Sequence, residues 1–79
     1  MRKVYVCVNA DFTSEGKVLP RWFLWEDGRK YVIDRIIDTQ RAASLKAGGI
    51  GLRYTIRVKG KETYIWLEDN ENKWFMQGK

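Results

Sequence analysis

The chain has 79 residues and a formal net charge of +5, which predicts a single small domain spanning residues 1–79. Cys7 is the only cysteine and histidine is absent, so an intrachain disulfide and a Cys/His zinc site are both excluded. The lone cysteine and the lack of roughly 18 consecutive apolar residues predict a cytoplasmic protein that does not enter a membrane.

The first two predicted strands lie in residues 3–26. Residues 3–13 alternate, with valines such as Val4 on one face and polar residues on the other, and this period of two is typical of a half-buried strand. A turn follows at residues 14–17, and residues 18–26 form the second strand. Pro20 cannot donate a ladder hydrogen bond, so it should lie near the strand start or on a sheet edge.

The dipeptide Asp27-Gly28 predicts a hairpin that leads into a third strand at residues 29–37. A two-residue turn would place Trp22 in the core. A three-residue loop ending at Gly28 would place Phe23 and Trp25 there instead, because a one-residue slip exchanges the two faces. Both registers fit the residues, and we favour the second.

Residues 39–47 are the least strand-like part of the chain. They contain good helix formers, Asp38 could cap a helix, and Gly48-Gly49 could end it. A helix of about nine residues is marginal by itself. The sequence therefore predicts either one short helix or an ordered loop near residues 39–47.

The clearest pattern is a hairpin over residues 50–68. Apolar side chains alternate with basic ones along its first half, and Gly60-Lys61 suits a type II′ turn. That turn would place Ile56 opposite Ile65 and Arg53 opposite Glu68. With a final strand at residues 73–77, the chain should be all-β, a small SH3-like or similar barrel of five to six antiparallel strands. The predicted core is Val4, Val6, Val8, Phe23, Trp25, Tyr31, Ile33, Ile36, Leu52, Tyr54, Ile56, Ile65 and Leu67.

The outer face of this hairpin combines basic and aromatic side chains. Six basic residues and no acid lie between Asp38 and Glu62. Small β-barrels hold single-stranded nucleic acid with such surfaces, because cations meet phosphates while bases stack on rings. The predicted phosphate contacts are Arg41, Lys46, Arg53, Arg57, Lys59 and Lys61, and the predicted stacking residues are Tyr64 and Trp66.

Two other roles for the same face stay open. Trp, Tyr and Arg are enriched in protein interfaces, so the face could bind a protein partner or a second copy of the chain. It could also be purely structural, with Arg57 stacked on Tyr64. The absence of histidine and the lone Cys7 argue against an enzyme. Nothing in the residues implies a cofactor or a metal.

Several spaced residues resemble a known family. The pattern comprises Pro20-x-x-Phe23-x-Trp25, Gly28-Arg29-x-Tyr31-x-Ile33-x-x-Ile36-x-Asp38, Arg53-Tyr54-Thr55-Ile56-Arg57 and Trp74-Phe75. It is similar to an uncharacterised family of small all-β proteins of Gram-positive bacteria. The chain also resembles, more weakly, a small actinobacterial β domain encoded near translesion polymerases, but it carries an insert at residues 42–51. The resemblance implies six strands and the Phe23/Trp25 register, and it favours nucleic-acid binding, although neither family has an established activity.

Overall fold

A computed structural model describes residues 2–43, 50–68 and 72–78. These residues form seven antiparallel strands in one curled sheet, a half-barrel, and contain no helix. The described residues accordingly include no helix long and apolar enough to cross a membrane. The strands are β1 (Arg2–Phe12), β2 (Val18–Leu24), β3 (Lys30–Val32), β4 (Arg35–Ala43), β5 (Ile50–Val58), β6 (Lys61–Glu68) and β7 (Lys73–Gly78).

The sheet consists of two meanders that join through the first and last strands. The strand order is β3-β2-β1-β7-β6-β5-β4. β1 divides its length between two neighbours, since Arg2–Val6 pair with β7 and Cys7–Phe12 pair with β2. The all-β prediction is confirmed, whereas the count of five to six strands is wrong because the described residues already form seven.

The extra strand arises where the chain crosses from one edge of the sheet to the other. The predicted third strand at residues 29–37 is in fact interrupted at Ile33 and Asp34. The Ile33 amide donates to the Arg21 carbonyl on β2 at 2.9 Å, and the Asp34 amide donates to the Arg57 carbonyl on β5 at 2.8 Å. These two consecutive residues thus tie β2 to β5, which lie near opposite ends of the strand order, and this requires the sheet to curl.

The predicted short helix or ordered loop near residues 39–47 is wrong over the part that the structure describes. Residues 39–43 extend β4 and pair with β5 as far as Ala43 opposite Ile50. Helix propensity over so few residues is weak, and the ladder to β5 satisfies the same backbone groups. The remainder of that prediction, residues 44–47, lies outside the described residues.

The hairpin between β2 and β3 has the three-residue loop that we favoured. The Trp25 amide donates to the Arg29 carbonyl at 2.9 Å, and Gly28 has a φ of +84°, a conformation that glycine adopts without steric cost. Phe23 is consequently buried and stacks on Tyr31 with ring centroids 5.5 Å apart.

The β5–β6 hairpin turns one position earlier than predicted. Lys59 and Gly60 have φ values of +50° and +77°, which is typical of a type I′ turn rather than type II′. Ile56 therefore lies opposite Thr63, not Ile65. The predicted pairing is wrong by two residues along β6, and an even shift leaves every side chain on its predicted face.

The core lies on the concave face of the curled sheet. Tyr54, Ile56 and Ile65 are almost completely buried at its centre. All thirteen predicted core residues are buried or packed against buried ones, although Val6, Val8, Trp25, Tyr31, Ile36 and Leu52 are only partly covered. The prediction omitted Trp74 and Met76 of β7, both of which are buried in the same cluster.

Candidate nucleic-acid interface

One cross-strand line runs over the convex face of five strands. Tyr5 pairs with Phe75, Phe75 with Trp66, Trp66 with Arg53, and Arg53 with Gln40. Directly opposed residues in antiparallel strands project to the same side. The pairing of β1 with β7 therefore brings residues from both ends of the chain beside the hairpin.

The three rings on this line and Tyr64, two residues before Trp66 on β6, form a continuous cluster. We call this cluster the aromatic row: Tyr5, Phe75, Trp66 and Tyr64. Tyr5 meets Phe75 edge-on at 6.0 Å between centroids, and Phe75 stacks on Trp66 at 5.1 Å with an interplanar angle of 2°. Tyr64 completes the row at 5.8 Å from Trp66. Such contacts add to the stability that area burial supplies.

Exposure differs along the aromatic row. Phe75 is 3% exposed, whereas Tyr5 at one end is 51% exposed and Tyr64 at the other is 43% exposed. Trp66 is half-buried. The central ring therefore holds the cluster together, and the terminal rings offer the surface to which a planar ligand could be added.

Cations lie over the rings of the row. The Lys3 ammonium is 4.3 Å from the Phe75 centroid, and the Arg53 guanidinium is 4.8 Å from the Tyr64 centroid. The Lys73 ammonium is 5.6 Å from the Tyr5 centroid. These are cation–π distances, at which the ring quadrupole attracts the positive charge.

Glu68 neutralises part of this charge at the Tyr5 end. The Tyr5 hydroxyl donates to Glu68 Oε1 at 2.6 Å, and Lys3 Nζ lies 3.7 Å from the same oxygen. The hydrogen bond to the carboxylate raises the pKa of Tyr5 above its ordinary value. Glu68 lies opposite Gly51 rather than Arg53, so the predicted Arg53–Glu68 pair is wrong.

Arg53 is held at the other end of the row by polar contacts on β4. Its Nη2 donates to Gln40 Oε1 at 3.1 Å, and Gln40 Nε2 donates in turn to Asp38 Oδ2 at 2.9 Å. The Nε of Arg53 is buried and has no hydrogen-bond partner among the described residues. This chain of contacts fixes the guanidinium over Tyr64.

The structure brings together four of the eight predicted site residues. Arg53, Arg57, Tyr64 and Trp66 share the convex face, where Arg57 also approaches Glu62 at 3.6 Å. The predicted Arg57–Tyr64 stack is wrong, since Arg53 occupies that position.

The other predicted phosphate contacts do not share that face. Arg41 lies opposite Leu52, and Lys61 lies opposite Val58, so both belong to the concave side of their strands. Lys59 points its ammonium toward Tyr31, 5.3 Å from the ring centroid. Lys46 lies outside the described residues.

Sequence reasoning missed the other half of the surface. Tyr5 and Lys3 come from β1, and Phe75 and Lys73 come from β7. The alternation in residues 3–13 already separated Tyr5 from the core valines. It could not indicate that β1 would pair with β7.

Asp34, between β3 and β4, and Asp38, in β4, both accept hydrogen bonds. Asp34 Oδ2 accepts a hydrogen bond from the Lys59 amide at 3.0 Å, and Asp38 accepts one from Gln40. Cys7 is exposed. Within residues 2–43, 50–68 and 72–78, no group of three or more His, Cys, Asp or Glu side chains is arranged to hold a metal ion.

No protein-family model, curated protein or solved structure matches the chain. The resemblance to a small all-β family of Gram-positive bacteria therefore stays a prediction. The function of the chain has to be inferred from the described side chains and their contacts.

Proposed function

We propose that this protein is a non-enzymatic module that binds single-stranded nucleic acid through the aromatic row and the cations around it. The observation that carries the proposal is a continuous row of rings with cations over them, contributed by four strands, with an exposed tyrosine at each end. Single-strand binding proteins use this combination, because stacking tolerates any base while cations follow the phosphates.

The row suggests distinct roles for its members. Tyr5 and Tyr64 would stack bases, since their rings are the exposed ones, and Trp66 would support Tyr64 from below. Lys73, Arg53 and Arg57 would contact phosphates on either side. Compared with the prediction from sequence, the proposed surface adds Tyr5 and Lys73. It does not require the phosphate contacts predicted for Arg41, Lys46, Lys59 and Lys61.

The charge of the convex face and of the whole chain also supports nucleic-acid binding. The convex face near the row carries Lys3, Lys73, Arg53 and Arg57, against Asp38, Glu62 and Glu68, which leaves it slightly positive. Because the whole chain has a formal charge of +5, nucleic acid would be drawn toward the molecule before any specific contact forms.

Binding of a protein through the same face is the second candidate. It is favoured by the contacts of Arg53 with Gln40 and of Arg57 with Glu62, which leave less charge for phosphates. Sedimentation at two protein concentrations separates self-association from a monomer. A dimer that Tyr64→Ala abolishes, without any nucleic-acid binding, would favour this candidate.

The test is a titration with labelled single-stranded DNA, single-stranded RNA and duplex DNA. With about four phosphate contacts, affinity for a single strand should fall roughly 50-fold between about 50 and 200 mM salt. Tyr5→Ala and Tyr64→Ala should each weaken single-strand binding by about fivefold or more. The matched control is Phe12→Ala, which removes a ring that is 79% exposed and outside the row.

Charge reversal provides the second comparison. Lys73→Glu, on the convex face, should reduce affinity at low salt, whereas Lys61→Glu makes the same charge change on the other side of the sheet. Equal losses in both variants, or unchanged binding in both tyrosine variants, would contradict the proposed surface. Absence of binding at low salt would reject the nucleic-acid function.

Three further predictions accompany this proposal. The curled sheet would be a variant of the small SH3-like barrel, in which β1 and β7 join the two meanders. The protein would act as one domain, and it would act in the cytoplasm of a bacterium. The support for the location is the single cysteine, which is typical of a reducing compartment.

A further inference from the structure

The convex face continues past the aromatic row onto β2 and β3. Along β1, Tyr5, Cys7 and Asn9 alternate with the core valines, so all three project to the convex side. Trp22 on β2 lies directly opposite Asn9, and Val32 on β3 lies directly opposite Trp22. Because opposed residues project to one side of a sheet, the Trp22 ring belongs to the face that carries the row.

Trp22 repeats the combination of a ring and a cation that characterises the row. The Lys30 ammonium is 4.4 Å from the Trp22 centroid, which is a cation–π distance. Lys30 is exposed and forms no ion pair with another described residue. Trp22 is half-buried, and its neighbour Val32 is 57% exposed. The flexible stem of Lys30 allows the ammonium to move from the ring to a phosphate, which opens the ring face to a base.

The charges around this ring do not oppose a phosphate. The acid that β1 places on this part of the face, Asp11, has its Oδ2 atom 2.7 Å from Arg21 Nε. In the adjoining loop, Asp27 Oδ2 is 3.6 Å from Arg29 Nε. Both carboxylates therefore already have a cationic partner, and Lys30 supplies the surplus positive charge.

A groove runs along β1 between the two ring positions. Its volume is about 800 Å³, and its lining includes Tyr5, Cys7, Asn9 and Lys73. It extends past the last pairing of β1 with β7. The Lys73 ammonium, 5.6 Å from the Tyr5 centroid, places a cation at its beginning. A strand that leaves Tyr5 therefore has a recess that leads toward Asn9 and Trp22.

The spacing of the rings determines how long a strand must be to reach all of them. Asn9 follows Tyr5 by four residues, which is about 13 Å of strand, and β2 lies about 4.8 Å to the side of β1. By the same geometry, the row from Tyr5 to Tyr64 covers about 12 Å. At about 3.4 Å per stacked base, each of these two distances corresponds to about four bases.

We infer that the nucleic-acid site continues from Tyr5 along the β1 groove to a further stacking position on Trp22, with Lys30 as its phosphate contact. This inference rests on the proposed function. The ligand is a single strand of about eight nucleotides, which covers Tyr64, Tyr5 and Trp22 together. This length lies within the roughly 4–16 nucleotides that one small OB-type barrel occupies.

The experiment compares a short oligothymidylate of about four nucleotides with a long one of about eight. Trp22→Leu removes the aromatic ring but keeps an apolar side chain beside Val32. It should weaken binding of the long strand by about fivefold or more and leave the affinity for the short strand unchanged. Trp22→Phe retains a ring, so it should keep most of the affinity for the long strand. This comparison separates the loss of stacking from a loss of folding.

The salt dependence tests the role of Lys30. Lys30→Gln should lower the slope of log affinity against log salt by about one for the long strand, and should leave the slope for the short strand unchanged. Lys61→Gln removes the same charge on the concave side of the sheet and is the matched control. It should alter neither slope.

Cys7 provides a direct measure of where the strand lies. It is the only cysteine of the chain, it is exposed, and it lies in the groove between Tyr5 and Asn9. At saturating concentrations, the long strand should slow the reaction of Cys7 with a thiol reagent more than the short strand does. The Trp22→Leu variant should lose this additional protection.

The outcomes distinguish this inference from the function on which it rests. Absence of binding by either strand would overturn both. Weaker binding in Tyr5→Ala, together with unchanged affinity of the long strand in Trp22→Leu, would overturn this inference alone. Equal losses for the short and long strands in Trp22→Leu, or a Cys7 reaction rate that the long strand does not change, would also overturn it.

Discussion

The hydroxyl of Tyr5 donates a hydrogen bond of 2.6 Å to the carboxylate of Glu68, which lies 63 residues later in the chain. This contact crosses β7, which separates β1 from β6. It joins the first strand to the hairpin at one end of the aromatic row, and it links the ionisation of Tyr5 to the folded state.

The first prediction concerns the pH dependence of that contact. The hydrogen bond that the Tyr5 hydroxyl donates to Glu68 raises the pKa of Tyr5 above the ordinary 10.0. A raised folded-state pKa means that the stabilisation is complete below the unfolded pKa and is lost as pH rises through the folded pKa. We expect Glu68→Gln to move the Tyr5 titration, followed by NMR, toward lower pH. Titration of Tyr5 at the same pH in both proteins would contradict the hydrogen bond.

The second prediction concerns the exposed ion pair between Arg2 and Glu26. Two hydrogen bonds of 2.9 and 3.0 Å from the guanidinium join them and lower the pKa of Glu26 below 4.5. A lowered folded-state pKa gives stability that is present above the unfolded pKa and is lost as pH falls through the folded pKa. Arg2→Ala should therefore raise the pKa of Glu26 measured by NMR. Arg29→Ala, near the same loop, is the control and should leave it unchanged.

The third prediction tests the core. Ile56 is fully buried, and Ile56→Ala should lower the free energy of unfolding by about 2–5 kcal/mol. Ile37 is 40% exposed, so Ile37→Ala is the matched control and should cost much less. The measurement is chemical denaturation at constant pH. Equal losses in the two variants would mean that the concave face is wrongly assigned.

The fourth prediction tests the turn between β5 and β6. Lys59 has a φ of +50°, and asparagine tolerates this conformation better than lysine. Lys59→Asn should therefore raise the free energy of unfolding by up to about 1 kcal/mol. The type II′ turn expected from the sequence would put Lys59 in an extended conformation, where asparagine would bring no gain.

The fifth prediction concerns a glycine at a close approach of two strands. A Cβ atom added at Gly51 would clash with the carbonyl oxygen of Leu67. Because backbone cannot yield as a side chain does, Gly51→Ala should destabilise the protein by about 1–3 kcal/mol. Thr55→Ala, in the same strand, provides the comparison. Thermal unfolding unaltered by Gly51→Ala would mean that β5 and β6 lie farther apart at this point.

Local patterns in the sequence were sufficient for the two faces of the hairpin over residues 50–68. The alternation in residues 50–59 separated Tyr54 and Ile56 from Arg53 correctly, even though the pairing along β6 was wrong by two residues. The faces survived because each strand repeats its side-chain direction every two residues. The same logic identified Phe23 as a core residue once a three-residue loop was preferred.

Pairings between distant strands could not be read in the same way. Which strand lies beside β1, and where the chain leaves one sheet edge for the other at Ile33 and Asp34, depend on contacts between residues far apart in sequence. The strand identity of residues 39–43 was also missed, because their weak local preference for helix is overridden by the ladder to β5. The nucleic-acid surface was therefore predicted only in part.

By itself, the sequence determined the all-β class, the inward and outward faces of the main hairpin, and the exclusion of a disulfide. These follow from composition and from periodicity over a few residues, which local backbone geometry enforces. Only the tertiary structure decided that Tyr5 and Phe75 join Trp66 in one row and that Arg41 and Lys61 lie on the other side. Those arrangements arise when the sheet curls, and curling is set by packing and hydrogen bonding across the whole chain.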